Sequence, residues 1–282
     1  MLAQSILNGL VSGWIYILVG LGLTVVLSVT NIVQLAHGEI YMLGAYVMYF
    51  LFVSAGMNYL VSVAVSAVII GIIGILLERV FFRPFRKQTE RSLIIALGLV
   101  LVLQALAAVS FGAQQKAIPS PFTGVINVFG LALSTQRLVV IIAGMVLVLA
   151  LFLFIRYTKW GQAMLAISQD IDQAALLGIS VDRVSAIAMG LGCLMAGAAG
   201  ALVGSMFGLS PTMGDFALMK GIAVIVIGGL GSIPGAIIGG LILGMVDGVL
   251  PSFMTVHMAD IIGFSLIIIF LLVRPRGILG HE

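Results

Sequence analysis

Apolar residues fill this chain in long uninterrupted stretches, and polar residues are confined to short gaps between them. Stretches of roughly 20 residues, the length that crosses about 30 Å of hydrocarbon, fall near 5–29, 38–56, 60–80, 92–112, 138–155, 184–208 and 258–273. The apolar run over 217–250 is too long for one crossing. Gly228, Gly229, Gly231, Pro234 and Gly235 interrupt it, which predicts two short helices meeting at the sequence GGLGSIPG. Nothing in these runs alternates as the strands of an outer-membrane barrel do, so helices that satisfy their own backbone are the spanning unit. The pattern predicts an all-α polytopic transmembrane bundle of about eight or nine spanning helices, with nine crossings when 217–250 is split.

One gap differs from the rest. Between Arg156 and Arg183 lies a polar island, RYTKWGQAMLAISQDIDQAALLGISVDR, flanked by apolar stretches on both sides. Its pattern predicts a first amphipathic helix from about Lys159 to Ile167 and a second beginning after Ser168. Asp170 and Asp172 in the first turn suit the positive end of a helix, and Gly178 suits a left-handed stop. Ser180 and Asp182 then open the next membrane helix in the same way. A structured knob at a membrane face is suited to docking.

Composition agrees with a membrane protein and narrows its chemistry. The chain is 62% hydrophobic and 8% charged, too little polar material to cover a soluble globule of 282 residues. A formal charge of +3 gives no footprint for nucleic acid, and the basic residues cluster at helix ends. A single cysteine, Cys193, excludes an internal disulfide and any metal site of cysteine type. The first 78 residues lack Lys and Arg, so the first apolar segment reads as a retained membrane helix instead of a cleaved signal.

Basic residues also set the orientation. With the loop from Arg79 to Arg91 cytoplasmic, one side collects Arg79, Arg83, Arg86, Lys87, Arg91, Arg156, Lys159, Arg183, Arg274 and Arg276, and the other keeps Lys116, Arg137 and Lys220. The N-terminus then falls outside. The same layout divides one transmembrane domain, 1–282, into a first repeat over 1–112, a connecting helix at 138–155, a cytoplasmic loop at 156–183 and a second, inverted repeat over 184–273. HGEIYMLGAY at 37–46 and MGDFALMKGIA at 213–223 echo one another across that division. Gly200, Gly204 and Gly208, like Gly240, Gly244 and Gly248, recur every four residues and predict close helix packing, either within the chain or at a seam between protomers or between the moving halves of a translocation path.

Several of these segments together resemble a known family. Gly161, Ala166, Ala174, Gly178 and Ile179, with Asp170 among them, resemble the coupling loop of ABC importer permeases. QLAHGEIYMLGAY at 34–46, ERVFFRPFR at 78–86, LLGISVDRV at 176–184, GGLGSIPGAIIGGLILG at 228–244 and RPRGILG at 274–280 look, in order, like motifs of the branched-chain amino-acid importer permeases. Gln34 and Leu35 stand where many members have Asn and Phe, which weakens the inference to substrate. The resemblance implies a non-enzymatic subunit in a bacterial inner membrane. Its implied partners are ABC ATPase subunits on the knob, a second permease subunit and an extracytoplasmic substrate-binding protein. Consistently, no G-x-x-x-x-G-K-[ST] loop occurs, so this chain has no cofactor of its own and ATP belongs to the partners.

Ionisable residues in membrane helices, with the polar and glycine positions beside them, mark candidate pathway or gating groups: Gln34, His37, Gly38, Glu39, Asp215 and Lys220. Glu39 and Asp215 read as first-turn acids at helix ends on opposite sides of the membrane, and Lys220 as an interfacial lysine or a group that attracts a substrate carboxylate. Asp247, Asp260 and His257 read as packing groups. Two alternatives stay open: a permease for urea, short amides or another small solute, and a proton-coupled transporter using His37 and Glu39.

Overall fold

A computed structural model describes residues 2–86, 88–128, 131–274 and 277–279. The chain forms α1 (Leu2–Thr30), α2 (His37–Tyr49, continued by a π-turn to Ser54), α3 (Tyr59–Leu77) and α4 (Thr89–Phe111), then a hairpin of β1 (Val125–Val128) and β2 (Leu131–Ser134). There follow α5 (Thr135–Tyr157), α6 (Lys159–Gln169), α7 (Ile171–Leu176), α8 (Val181–Phe207), α9 (Met213–Gly228), α10 (Ile233–Val249) and α11 (Val256–Val273). Among the described residues, six helical stretches are long and apolar enough to cross a membrane: those containing α1, α3, α4, α5, α8 and α10. The expected break in 217–250 lies where the glycines and proline put it. Gly229 and Gly231 adopt positive φ, and Ser232 accepts a hydrogen bond from the Gly235 N–H at 3.1 Å to cap α10.

Helices α1 and α8 form the buried axis, and α4 and α5 present mostly exposed apolar surface suited to lipid. Glycine permits the close approach of neighbouring helices. Gly9, Gly13 and Ile17 of α1 lie against Gly248, Gly244 and Gly240 of the antiparallel α10, and a Cβ at any of the three α10 positions would strike α1 backbone. Across the axis, Ile70, Gly74 and Ile75 of α3 meet Gly197, Cys193 and Gly190 of the antiparallel α8. In lipid, where burial of apolar surface gives no drive, such small-residue contact is what holds helices together.

The small-residue stripes therefore pack inside the chain. Gly200 lies on the Tyr41 carbonyl of α2 and Gly204 beside Ala45. Gly208 corrects the expectation of a third stripe residue: it follows α8 with φ +83° and ends the helix beside Gln115 and Lys116. Left-handed backbone at that point favours glycine.

Two helices begin inside the bundle. His37, the first residue of α2, packs against Gly22, two turns before the end of α1, so residues 31–36 run back into the bundle without helical structure. Residues 208–212 lead into α9 in a similar non-helical path.

One end of the bundle gathers the positive charge. Arg83 and Arg86 both pair with Asp182 at the start of α8, and Arg86 also pairs with Glu78. The Ile278 N–H donates to the Ile227 carbonyl at 2.9 Å, which brings the chain beyond α11 to the same end. Opposite it, Lys116 bridges to Leu209 and Arg137 donates to Asn8. Lys87 and Arg276 lie outside the described residues.

Candidate functional site

The polar island forms two helices at the basic end. Thr158 caps α6 by accepting from the Gly161 N–H at 3.0 Å, and a Cβ at Gly161 would strike the backbone of Phe154 and Ile155. Asp170 is the cap of α7 itself: its carboxylate accepts from the N–H groups of Asp172 and Gln173, each at 2.9 Å. The end of α7 is a Schellman turn, in which Ile179 N–H donates to the Ala174 carbonyl and Gly178 N–H to that of Ala175, with Gly178 at φ +82°. Ala166 and Ile179 pack partly against the core, and Ala174 is buried. The most exposed apolar side chains of the knob are instead Leu176 and Leu177, at 87% and 81%. Helical periodicity identifies the knob, but only the fold shows which of its faces is free.

A second constellation lies where α2 and α9 begin. Gly38 and Gly214 touch backbone to backbone. Expected on opposite sides of the membrane, Glu39 and Asp215 are instead joined: the Gln104 amide of α4 donates to Glu39 Oε1 and to Asp215 Oδ1, both at 2.9 Å. The correction follows from where the two helices begin. Residues 31–36 and 208–212 carry the chain back into the bundle, so the first turns of α2 and α9 meet there instead of at opposite faces. Gln104, one amide in an apolar helix, carries no sequence signal of its partners. His37 Nδ1 lies 3.3 Å from Gln34 Oε1, and Gln34 Nε2 lies 3.8 Å from Cys193 Sγ. His37 and Glu39 therefore engage different partners.

The third constellation corrects the interfacial reading of Lys220. Only 1% exposed, Lys220 places Nζ 2.6 Å from Asp247 Oδ2 and 3.4 Å from Asp260 Oδ1. Rings of Tyr16, Phe216 and Phe264 surround it at 5.8, 5.1 and 5.2 Å, and the Tyr16 hydroxyl donates to Asp247 Oδ2 at 2.7 Å. Asp247 and Asp260 border a cavity of about 470 Å³ that lies toward the end opposite the knob, beside Gln115, Gly208 and Pro251. Among the described residues, none of Gln34, His37, Gly38, Glu39, Asp215 and Lys220 lines it. The side chain of His257 lies outside what the structure describes.

Comparison with known proteins gives these features a setting. A family model described as branched-chain amino acid transport system / permease component matches residues 5–271. The chain belongs to this family. Relatives include the high-affinity branched-chain amino acid transport system permease protein LivH of Salmonella typhimurium, 37% identical over 99% of this chain and 95% of that protein. BraD of Pseudomonas aeruginosa, a permease protein of the same kind of system, is 32% identical over 99% of this chain and 95% of its own. LivM of Escherichia coli is 26% identical over 94% of this chain and 68% of that protein.

Among solved structures, PsaBC from Streptococcus pneumoniae in complex with Fab superposes with a TM-score of 0.52 over 95% of this chain and 91% of that one. At 12% identity that likeness concerns the fold alone. This permease is thus a multi-pass membrane protein with an α-helical bundle, and its knob, its paired half-helices and its cavity are parts of a transport subunit.

Proposed function

We propose that this permease is the translocation subunit of an ATP-driven importer for branched-chain amino acids in a bacterial cytoplasmic membrane. The observation that carries the reading is the full-length match to LivH, a permease of high-affinity branched-chain amino acid transport. The capped two-helix knob supports it, since it offers a rigid, polar element with two exposed leucines at the basic end of the bundle. An ABC ATPase pair docks there, a second permease subunit completes the pathway, and a substrate-binding protein delivers ligand to the opposite end.

The mechanism uses the two arms that glycine packing builds. Residues 1–112 and 184–273 act as inverted repeats, with α1 against α10 and α3 against α8 as their tight pairs. ATP binding draws the ATPases together, and Gly161 to Gly178 carries that displacement to α5 and α8. The meeting point of α2 and α9 is the place where the arms change their relation.

The test is uptake of labelled leucine into vesicles holding the purified complex. Uptake that needs ATP and the ATPase is the expected result. Uptake without either, driven by a proton gradient, overturns the reading, and ATP-dependent uptake of urea or a sugar in preference to leucine overturns the substrate.

A further inference from the structure

We infer that the cavity toward the outer end of this permease is a seat for the ammonium group of an apolar amino acid or amine, received by Asp247 and Asp260. The choice of amino acid rests on the importer reading above; the cation seat rests on the geometry.

Among the described residues, charge is unbalanced there. Lys220 brings one formal positive charge against the two negative charges of Asp247 and Asp260. Placing a surplus charge in a low-dielectric bundle is costly unless a partner neutralises it. Lys220 and Tyr16 both address Asp247 Oδ2, and the other oxygen, Oδ1, is buried with no hydrogen-bond partner among the described residues. That oxygen faces Gly263 of α11 and is closed to the cavity, so the partly exposed Asp260 is the open acceptor of the group and Asp247 adds its charge beside it.

Position separates the roles. Lys220 lies behind the carboxylates, enclosed by three aromatic rings, and does not border the cavity. It is a positioning residue, and the ring faces favour its charge where it stands. Asp247 and Asp260 do border the cavity, as do Ile15, Val19, Val203 and Phe207. A ligand with one cationic end and one branched aliphatic end thus meets carboxylates on one wall and hydrocarbon on the other. Neutral solutes such as a sugar or an amide offer nothing to balance the charge.

The experiment is equilibrium binding to the purified full chain in nanodiscs, using leucine, isopentylamine and 4-methylpentanoate. Isopentylamine keeps the cation and the branched tail, and 4-methylpentanoate keeps the tail but lacks the cation. Leucine and isopentylamine are expected to bind and 4-methylpentanoate is not.

Asp247→Asn should weaken both amines about tenfold, the effect of losing one negative charge beside the seat. Asp260→Asn, at a more exposed position that tolerates the change, should weaken them in the same direction, and Asp247→Glu should restore part of the loss. Equal binding of 4-methylpentanoate, unchanged affinity in both Asn variants, or no amine binding at millimolar concentration overturns the seat. If isopentylamine binding follows the carboxylates while the full complex fails to import leucine, the importer reading fails and the seat stands. Leucine import that is unchanged in both Asn variants has the opposite meaning.

Discussion

Gly38 and Gly214 meet backbone to backbone where α2 and α9 begin, and no side chain fits between them. A Cβ at either would occupy the other's backbone, so relief requires two helices to separate. Gly38→Val should lower thermal stability in detergent by about 1–3 kcal/mol or more, the usual range for overpacking. Gly98→Ala, with open space around its position in α4, should be neutral or slightly stabilising. Equal melting of the two variants would mean that the half-helices do not meet.

Gln104 supplies the one amide that joins Glu39 to Asp215. Gln104→Leu removes a donor from two acceptors at once and should cost about 1–3 kcal/mol. In a Glu39→Gln background the same change should cost less, because the groups are coupled. A double-mutant cycle on thermal unfolding reads the difference; strict additivity would show the bridge to be absent.

On the knob, the exposed leucines and the buried alanine separate docking from folding. Leu176→Asp with Leu177→Asp should reduce ATP-driven uptake by about tenfold or more and leave the bundle's melting unchanged, since both side chains face away from the core. Ala174→Asp should instead loosen α7, because it buries a charge without a partner. Uptake by the double leucine variant at the wild-type rate would move the docking surface elsewhere.

Gly178 closes α7 in a left-handed conformation with open space around it. Gly178→Ala therefore meets backbone strain alone, about 1–2 kcal/mol. Hydrogen exchange at the Ile179 amide, which donates across the turn, should accelerate in this variant and stay slow in the wild type. Unchanged exchange would argue against the Schellman geometry.

Features that depend on local sequence are legible in the chain itself. Apolar length marks the spans, Gly228 to Gly235 marks the break between α9 and α10, and the helical periodicity of the apolar residues marks α6 and α7. What escapes a reading of the sequence depends on contacts far apart in the chain. Gln104 is 65 residues from Glu39 and 111 from Asp215, and a single amide in an apolar helix does not say which neighbour it faces. Lys220 reads as interfacial because it follows a Gly-Asp pair near a helix start. The start itself lies inside the bundle, so the lysine is carried to Asp247 and Asp260. Gly9 and Gly13 give no sign of being the partners of the α10 stripe, because a helix with two small residues at such spacing looks like any other apolar run.

In this account the knob after α5 grips a nucleotide-driven motor carried on other chains. Photocrosslinking from a reactive residue placed at Leu177, in membranes of cells expressing the whole system, tests it directly. An adduct with an ATPase subunit whose yield changes between nucleotide-free and ATP-trapped states is the predicted result. Labelling of that position by an impermeant reagent added from outside, or no ATPase adduct in either state, would contradict it.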